Sequence, residues 1–221
     1  MNRDQIEAVC LKADKFSTTN ISDALDALGF KSGVCGILPF VNKKKIFGPA
    51  VTLRITAFGP EPSKSHLGID AITASQKGDI IVIDNGGRKD VSCWGEILSY
   101  GAEQKGIKGV VIDGAFRDID DIEKTGFSVF AKAVVPVTAR KRIMGLETNT
   151  VIQCGGAQVR PGDFVMADGS GVVIIPAENI DEVLEKAEKL FAKEQAMIRE
   201  LLEGISIDQV DKKYSYEKML D

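Results

Sequence analysis

Two stretches of the 221-residue sequence place side chains capable of chemistry at backbone turns. In VIDGAFRDIDDI, Val111 to Ile122, an apolar run and a glycine lead to Arg117 and Asp118 at an expected helix start. In DNGGRKDVSCWGEIL, Asp84 to Leu98, Gly95 and Glu96 stand near the first turn of another expected helix. An Arg-Asp pair after a buried strand admits two readings. In one, Asp118 caps the helix that follows and Arg117 makes a surface ion pair worth ~0–1 kcal/mol. In the other, Asp118 is the one direct protein ligand of a divalent cation, with water and substrate filling the other positions as magnesium commonly prefers. Arg117 then binds a substrate oxygen on which negative charge develops, a task suited to a planar guanidinium.

The Asp84–Leu98 stretch offers a complementary anion site. Gly86 and Gly87 permit a sharp turn, and Asp90 or Ser92 is placed to cap the helix. At Gly95 an absent side chain lets a ligand approach the backbone. The amides of Gly95, Glu96, Ile97 and Leu98 could then bind a carboxylate. The helix dipole adds only ~0.3–1 kcal/mol, so hydrogen bonds would carry most of that binding. The alternative is an ordinary glycine-containing helix start. Glu96 likewise has two readings: a carboxylate that holds a water on the cation, or a solvent-facing helix residue.

The elements that must position these groups follow from periodicity. DQIEAVCLKADKF and TTNISDALDALG have helical spacing, the second capped by Thr19 or Asn20 and closed by Gly29. IFGPAVTLRITAF reads as a strand, and GIDAITASQKGD as a short helix. DIIVID and GVVID are continuous apolar runs of the kind buried on both faces. With GGRKD read as a loop and SCWGEILSYGAEQKG as a helix between them, they form a βαβ unit with a parallel pair. Loops at the carboxyl ends of parallel strands gather in one crevice, so the two stretches should face one another. DIDDIEKTG gives a short helix and SVFAKAVVPVT a strand. Beyond residue 145, the GG, PGD and DGSG turns of TVIQCGGAQVRPGDFVMADGSGVVIIP predict antiparallel hairpins. A long helix runs from AENIDEV to about Glu203, and the tail DQVDKKYSYEKMLD is expected to be partly disordered or wrapped on a neighbour.

Composition narrows the chemistry. The length favours one domain, 1–221, with N-terminal helices in 1–45, a layered core in 46–177 and a C-terminal helix and tail in 178–221. A net charge of −4 argues against a nucleic-acid surface. No apolar run approaches the ~20 residues of a membrane span, and the acidic, polar start is no secretory leader, so a cytoplasmic address is expected. Cys10, Cys35, Cys93 and Cys154 have no metal or disulfide spacing and read as buried or incidental thiols. The single histidine, His66, lies in the polar loop GPEPSKSHLG and reads as a surface or rim residue. A multi-histidine metal site within one chain is therefore impossible, and a metal here should be held by oxygen, which means Mg2+ or Mn2+.

Taken together, GDIIVID, the GEIL helix start and VIDGAFRDIDDI resemble the RraA-like and class II pyruvate aldolase family, which includes 4-hydroxy-4-methyl-2-oxoglutarate and 4-carboxy-4-hydroxy-2-oxoadipate aldolases. TTNISDALDALG, IFGPAVTL and RPGDFVMADGSGVVIIP extend the likeness over most of the chain. The resemblance implies an α/β chain with a β/β/α layered fold of the phosphohistidine-swivelling type, assembled as trimers or pairs of trimers with sites between subunits. It implies a lyase that cleaves a 4-hydroxy-2-keto acid to pyruvate and a second 2-keto acid, with oxaloacetate decarboxylation beside it. By motif position, Gly95 to Leu98 would bind the pyruvoyl carboxylate and Arg117 the keto or enolate oxygen. Asp118 would ligate the cation directly and Glu96 through water. A Glu from a neighbouring subunit's C-terminal helix would join the proton path, with Glu194 the first candidate and Glu200 the second. The chain departs from the family at GPEPSKSHLGIDA, where aldolases commonly carry GDN and a His-Lys pair, and at Ser92, where a small apolar residue is usual. A rival reading is a regulator that binds an RNA-processing enzyme, as some shorter relatives do. A lyase of another 2-keto or sugar-acid pathway is a third.

Overall fold

The computed structural model describes residues 1–30, 33–60, 66, 68–215 and 217. In chain order the elements are α1 (Arg3–Ala13), α2 (Thr18–Ala27), β1 (Gly33–Val34), β2 (Leu38–Val41), β3 (Ile46–Ala57), α3 (Ile69–Ala74), β4 (Ile80–Ser92) and α4 (Glu96–Gln104). They continue with β5 (Gly109–Phe116), α5 (Ile119–Glu123), β6 (Ser128–Ala131), β7 (Ala133–Val134), β8 (Ile143–Thr148), β9 (Ile152–Cys154) and β10 (Ala157–Val159). The chain closes with β11 (Phe164–Asp168), β12 (Gly171–Ile175), α6 (Ile180–Leu202) and α7 (Ile207–Tyr214).

The main sheet runs β1-β12-β11-β3-β4-β5-β6-β2, with β7 beside β5 and β8 beside β3. β3, β4, β5 and β6 are parallel neighbours, as the βαβ reading requires. β11 and β12 form an antiparallel hairpin, and β9 and β10 a second one, as the turn signatures predict. β3 belongs to both regimes, because its first half pairs antiparallel with β11 and its second half parallel with β4.

Strand periodicity explains the layering. Ile81 and Ile83 of β4, with Val110 and Ile112 of β5, face a cluster containing Ala71, Trp94, Ala102 and Ile122 from the α3–α5 side. The alternate residues Ile80, Val82 and Val111 face Val165, Ala167, Val172 and Ile174 of the β11–β12 hairpin. On its outer side that hairpin buries Phe164, Met166, Val173 and Ile175 against α1, α2 and α6. The order is helices, parallel strands, antiparallel strands, helices. Both runs read as two-face-buried are buried, except that Asp84 at the end of the first is half-buried.

Several local expectations are corrected. Ser17, not Thr19 or Asn20, caps α2, and Asn20 completes the capping box by accepting from Ser17 N–H. The segment before residue 46 supplies strands β1 and β2 as well as helices. GGRKD is not a loop: β4 continues to Ser92, with Arg88 opposite Gly114 and Ser92 opposite Ala115 across two register shifts. Bulges let the strand bend around the end of β5 while keeping partial pairing, and they hide its period in the sequence. The tail folds back as α7, which buries Val210 and ties Lys213 and Tyr214 to Glu200; residues 216 and 218–221 lie outside the described set. His66 is exposed, as expected, although most of the loop before it lies outside the described residues. Cys93 and Cys154 are buried, Cys10 half-buried and Cys35 exposed.

Asp163 joins the hairpins to the outer helical layer. Its buried carboxylate accepts from Arg160 N–H, the Arg160 guanidinium and Ala177 N–H, while its carbonyl accepts from Ala50 N–H. Asp163→Ala should lower unfolding free energy by about 2–3 kcal/mol, because two backbone donors lose a charged acceptor. An unchanged urea midpoint would show that these bonds contribute nothing net.

Candidate functional site

The two stretches do meet, and three hydrogen bonds beyond the β4–β5 ladder join them. Cys93 N–H donates to Ala115 O at 2.9 Å, and Arg117 N–H donates to Trp94 O at 3.1 Å. The third is a side-chain contact, in which Glu96 N–H donates to Asp118 Oδ2 at 3.1 Å. The first amide of α4 is thus capped by a carboxylate from the next crossover turn, rather than by Asp90 or Ser92. Ser92 instead donates its hydroxyl to Val137 O at 2.6 Å, and Asp90 pairs with Arg88.

Gly95 makes this possible. A Cβ there would lie 2.6 Å from Asp118 Oδ2 and 3.4 Å from Arg117 Cγ and Nε, too close for the carboxylate to stay in place. The glycine accommodates a protein carboxylate at the position where a ligand had been expected. Behind it, Trp94 is buried, stacks on Phe127 at 6.1 Å between ring centroids, and donates its indole N–H to Ser99 Oγ at 2.8 Å. Ser99 in turn donates to Gly95 O at 3.1 Å. Sequence reasoning misses this brace, although Trp94 and Ser99 lie only five residues apart across the GE motif.

Asp118 has left-handed backbone, φ 63° and ψ 40°, and its side chain does not cap α5. Aspartate tolerates this region better than most residues, yet it still costs of order 1 kcal/mol. The conformation turns the side chain away from its own helix and toward α4, so the capping reading does not describe this residue. Arg117 Nε stands 3.3 Å from the same Oδ2. Among the described residues no hydrogen bond reaches Asp118 Oδ1, while the one to Oδ2 comes from Glu96 N–H. Both side chains remain partly accessible, at 40% and 32%.

The donor set fits a hard cation that keeps most of its waters. Asp118 offers one uncommitted carboxylate oxygen, and Glu96 begins α4 beside it. Among the described residues no three His, Cys, Asp or Glu side chains gather as an all-protein cage. The anion-binding role is narrower than the sequence suggests, because the Glu96 amide is already engaged. The first-turn amides of Ile97 and Leu98 lack intrahelical acceptors by helix geometry. The Ile97 side chain is exposed, and Leu98 packs against the buried cluster.

Glu194 is elsewhere in the chain. It lies on α6 in the outer helical layer, where Asn20 Nδ2 donates to its Oε2 at 2.8 Å. Partial burial and the neighbouring Asp23 push its carboxyl above the ordinary range, while the Asn20 bond draws it down. Burial and Asp26 likewise raise Asp23. Within one chain, two β layers separate α6 from the α4–α5 turns. Glu200 binds Lys213 and Tyr214 and closes the α6–α7 hairpin, a structural duty.

A family model described as RraA-like, Aldolase/RraA, matches residues 18–174. The chain is 31% identical over 91% of its length to protein DlpA of Legionella pneumophila, but it spans only 33% of that protein. It is 33% identical to a Halalkalibacterium halodurans protein named "Putative 4-hydroxy-4-methyl-2-oxoglutarate aldolase", over 85% of this chain and 86% of that one. Among solved structures, an uncharacterized protein from Pseudomonas syringae pv. tomato superposes with a TM-score of 0.84 at 29% identity, covering 92% of this chain and 96% of that one. Streptomyces coelicolor RraAS2, described as an unusual member of the RNase ES inhibitor RraA family, gives 0.73 at 23% identity over 89% and 94% of the two chains, a likeness of fold.

Two outcomes follow from the geometry. Gly95→Ala should force the Asp118 carboxylate off the Glu96 amide, costing about 1.5–3 kcal/mol, the worth of a hydrogen bond to a charged group. The chain's single tryptophan, adjacent to the change, reports it; a melting curve and Trp94 emission identical to the parent would show that the approach is not tight. The second concerns Glu194. A carboxyl raised in the folded state disfavours folding once ionised, and that penalty vanishes when both states are protonated. Glu194→Gln should therefore raise the urea midpoint at neutral and alkaline pH and leave it unchanged below the ordinary glutamate value of 4.5. A gain of equal size at both pH values would contradict the assignment.

Proposed function

Because the chain belongs to the RraA-like family, Aldolase/RraA, we propose that it cleaves a 4-hydroxy-2-keto acid to pyruvate and a second 2-keto acid. We propose that it decarboxylates oxaloacetate at the same site. The observation that carries this reading is the Arg117–Asp118 pair drawn against the start of α4, where a carboxylate, a guanidinium and the first-turn helix amides converge. The names of the relatives support a lyase acting on small keto acids.

In this reading Asp118 Oδ1 and a water held by Glu96 would take a divalent cation, Mg2+ or Mn2+. Such an ion supplies Lewis acidity at a keto oxygen, worth several kcal/mol of charge stabilisation. The chain's own groups do the rest. The Ile97 and Leu98 amides at the positive end of α4 bind the substrate carboxylate. Arg117 points its guanidinium at the keto oxygen. As the C3–C4 bond breaks, its electron pair moves toward that oxygen and the 4-hydroxyl proton leaves to a base. Arg117 holds the resulting enolate charge, and C3 then takes up a proton to give pyruvate. Oxaloacetate, losing carbon dioxide, passes through the same enolate.

Glu194 is suited to the proton steps, because partial burial and Asp23 raise its carboxyl above the ordinary glutamate range, so that it holds a proton more readily. It would reach the Arg117–Asp118 corner only from a second copy, so the reading requires assembly as trimers or pairs of trimers with the site between chains. The topology is then that of the phosphohistidine-swivelling type, and the setting cytoplasmic. Among the described residues no helix is long and apolar enough to cross a membrane.

A second reading, a binding protein that restrains an RNA-processing enzyme, draws on the shared fold with RraAS2. One experiment separates them: pyruvate release from oxaloacetate and a panel of 4-hydroxy-2-keto acids, with Mg2+ and with chelator. The expected result is turnover that chelator abolishes, absent in Asp118→Ala. Arg117→Ala should lose about 100- to 1,000-fold in kcat, the usual cost of one oxyanion donor, with metal affinity retained. Full turnover by Asp118→Ala would overturn the cation role, and no turnover of any substrate would favour the binding protein.

A further inference from the structure

The parallel strands carry a second polar constellation, on the other face of the sheet from the α4–α5 layer. Ile80 and Val82 of β4, Val111 of β5 and Phe130 of β6 point into the core between the β layers. Two residues further on, the same face of each chain carries Asp84, Asp113 and Lys132. Asp84 and Asp113 are direct partners in the β4–β5 ladder. Lys132 N–H donates to Gly114 O, which places Lys132 beside Asp113 at the end of β6. The apolar rows thus end in a row of Asp, Asp and Lys at the carboxyl edge of the sheet, where parallel sheets usually bind ligands.

This row lines a cavity of about 240 Å³ together with Gly86, Gly87, Gln153 and Gly156. Asp113 is 5% exposed, and its Oδ2 accepts from Gly155 N–H at 2.8 Å. Its Oδ1 is held by Lys132 Nζ at 2.5 Å in a buried ion pair. Asp84 is only half-buried; Oδ1 accepts from Gly86 N–H at 3.0 Å and Oδ2 takes a long contact from Gln153 N–H at 3.4 Å. The ammonium of Lys132 has further protons to donate, and each carboxylate has lone pairs to spare. A lock between sheet and hairpin would need only the Lys132–Asp113 pair; it would not require a cavity lined by a second carboxylate, with ammonium protons and carboxylate lone pairs open to a ligand.

We propose that this cavity binds a small neutral polyol, whose hydroxyl groups donate to Asp84 and Asp113 and accept from Lys132. Two carboxylates and one ammonium leave a net charge of −1, which disfavours the anionic keto acids of the Arg117–Asp118 site. A bare cation would meet the Lys132 charge already seated against Asp113. A hydroxyl group satisfies both signs, because it both donates and accepts, and a chain of them can span the Asp, Asp and Lys row. At ~30 Å³ per water the cavity has room for about eight, the space of a three- to six-carbon chain. The inference stands independently of the aldolase reading, since none of the three residues belongs to that site.

Saturation-transfer NMR on the full chain tests it, with glycerol, erythritol, xylitol and sorbitol as probes. The expected result is saturable transfer to at least one of them, reduced at least fivefold in Asp84→Asn and in Lys132→Met, and unchanged in Asp118→Ala. Lys132→Met leaves Asp113 buried without its partner and could unfold the chain, whereas Asp84→Asn keeps an acceptor for Gly86 and supplies the deciding comparison. No saturable transfer from any polyol overturns the proposal, as does transfer that persists undiminished in Asp84→Asn. Loss of transfer in Asp118→Ala would mean that the polyols occupy the Arg117–Asp118 corner instead.

Discussion

The bond from Glu96 N–H to Asp118 Oδ2 is the constraint on which the site depends. It spans two crossover turns whose strands are neighbours, and it forms only because Gly95 has no side chain and Asp118 has left-handed backbone. The strained conformation costs of order 1 kcal/mol. A charge-assisted bond to an orphan helix amide contributes roughly 1.5–3 kcal/mol, enough to offset it. The arrangement leaves Oδ1 uncommitted and holds it in place. An aspartate that capped its own helix would spend that oxygen on α5 and face away from α4.

Rigidity around this contact comes from below. Trp94 fills the core under the α4 start, and its indole N–H, through Ser99, secures the carbonyl of Gly95. The Arg117 amide bonds the carbonyl of Trp94, so the end of β5 is tied to the start of α4. A guanidinium aimed at a developing charge is effective only if its position is set before the reaction, and this brace sets the backbone from which Arg117 extends.

Much of this was legible in the sequence, for physical reasons that differ by element. DIIVID and GVVID announced themselves because strands covered on both faces need unbroken apolar runs. The late hairpins were visible in their turn residues, and the long helix α6 in its spacing. The path of residues 85–92 was not, because a bulged strand that wraps its neighbour shows neither alternation nor a continuous apolar run. The capping of α4 was hidden for another reason: its acceptor lies 22 residues away, and local spacing carries no information about it. Glu194 could be assigned to α6 but not to its surroundings. Its contact with Asn20 joins residues 174 apart and becomes visible only once α2 and α6 share a layer.

Strand β5 feeds both constellations, and its pleat keeps them apart. Asp113 points between the β layers toward Asp84 and Lys132, whereas the chain beyond Phe116 turns to present Arg117 and Asp118 to the helical side. Gly114 separates the two, with φ 159° and Asn85 packed where a Cβ would stand. Alternation along one strand therefore sorts ion pairs by setting: a buried carboxylate–ammonium pair on the inner face, and a guanidinium with a half-exposed carboxylate at the outer corner. The two constellations open to different sides of one sheet edge, and the pleat rather than net charge keeps them separate.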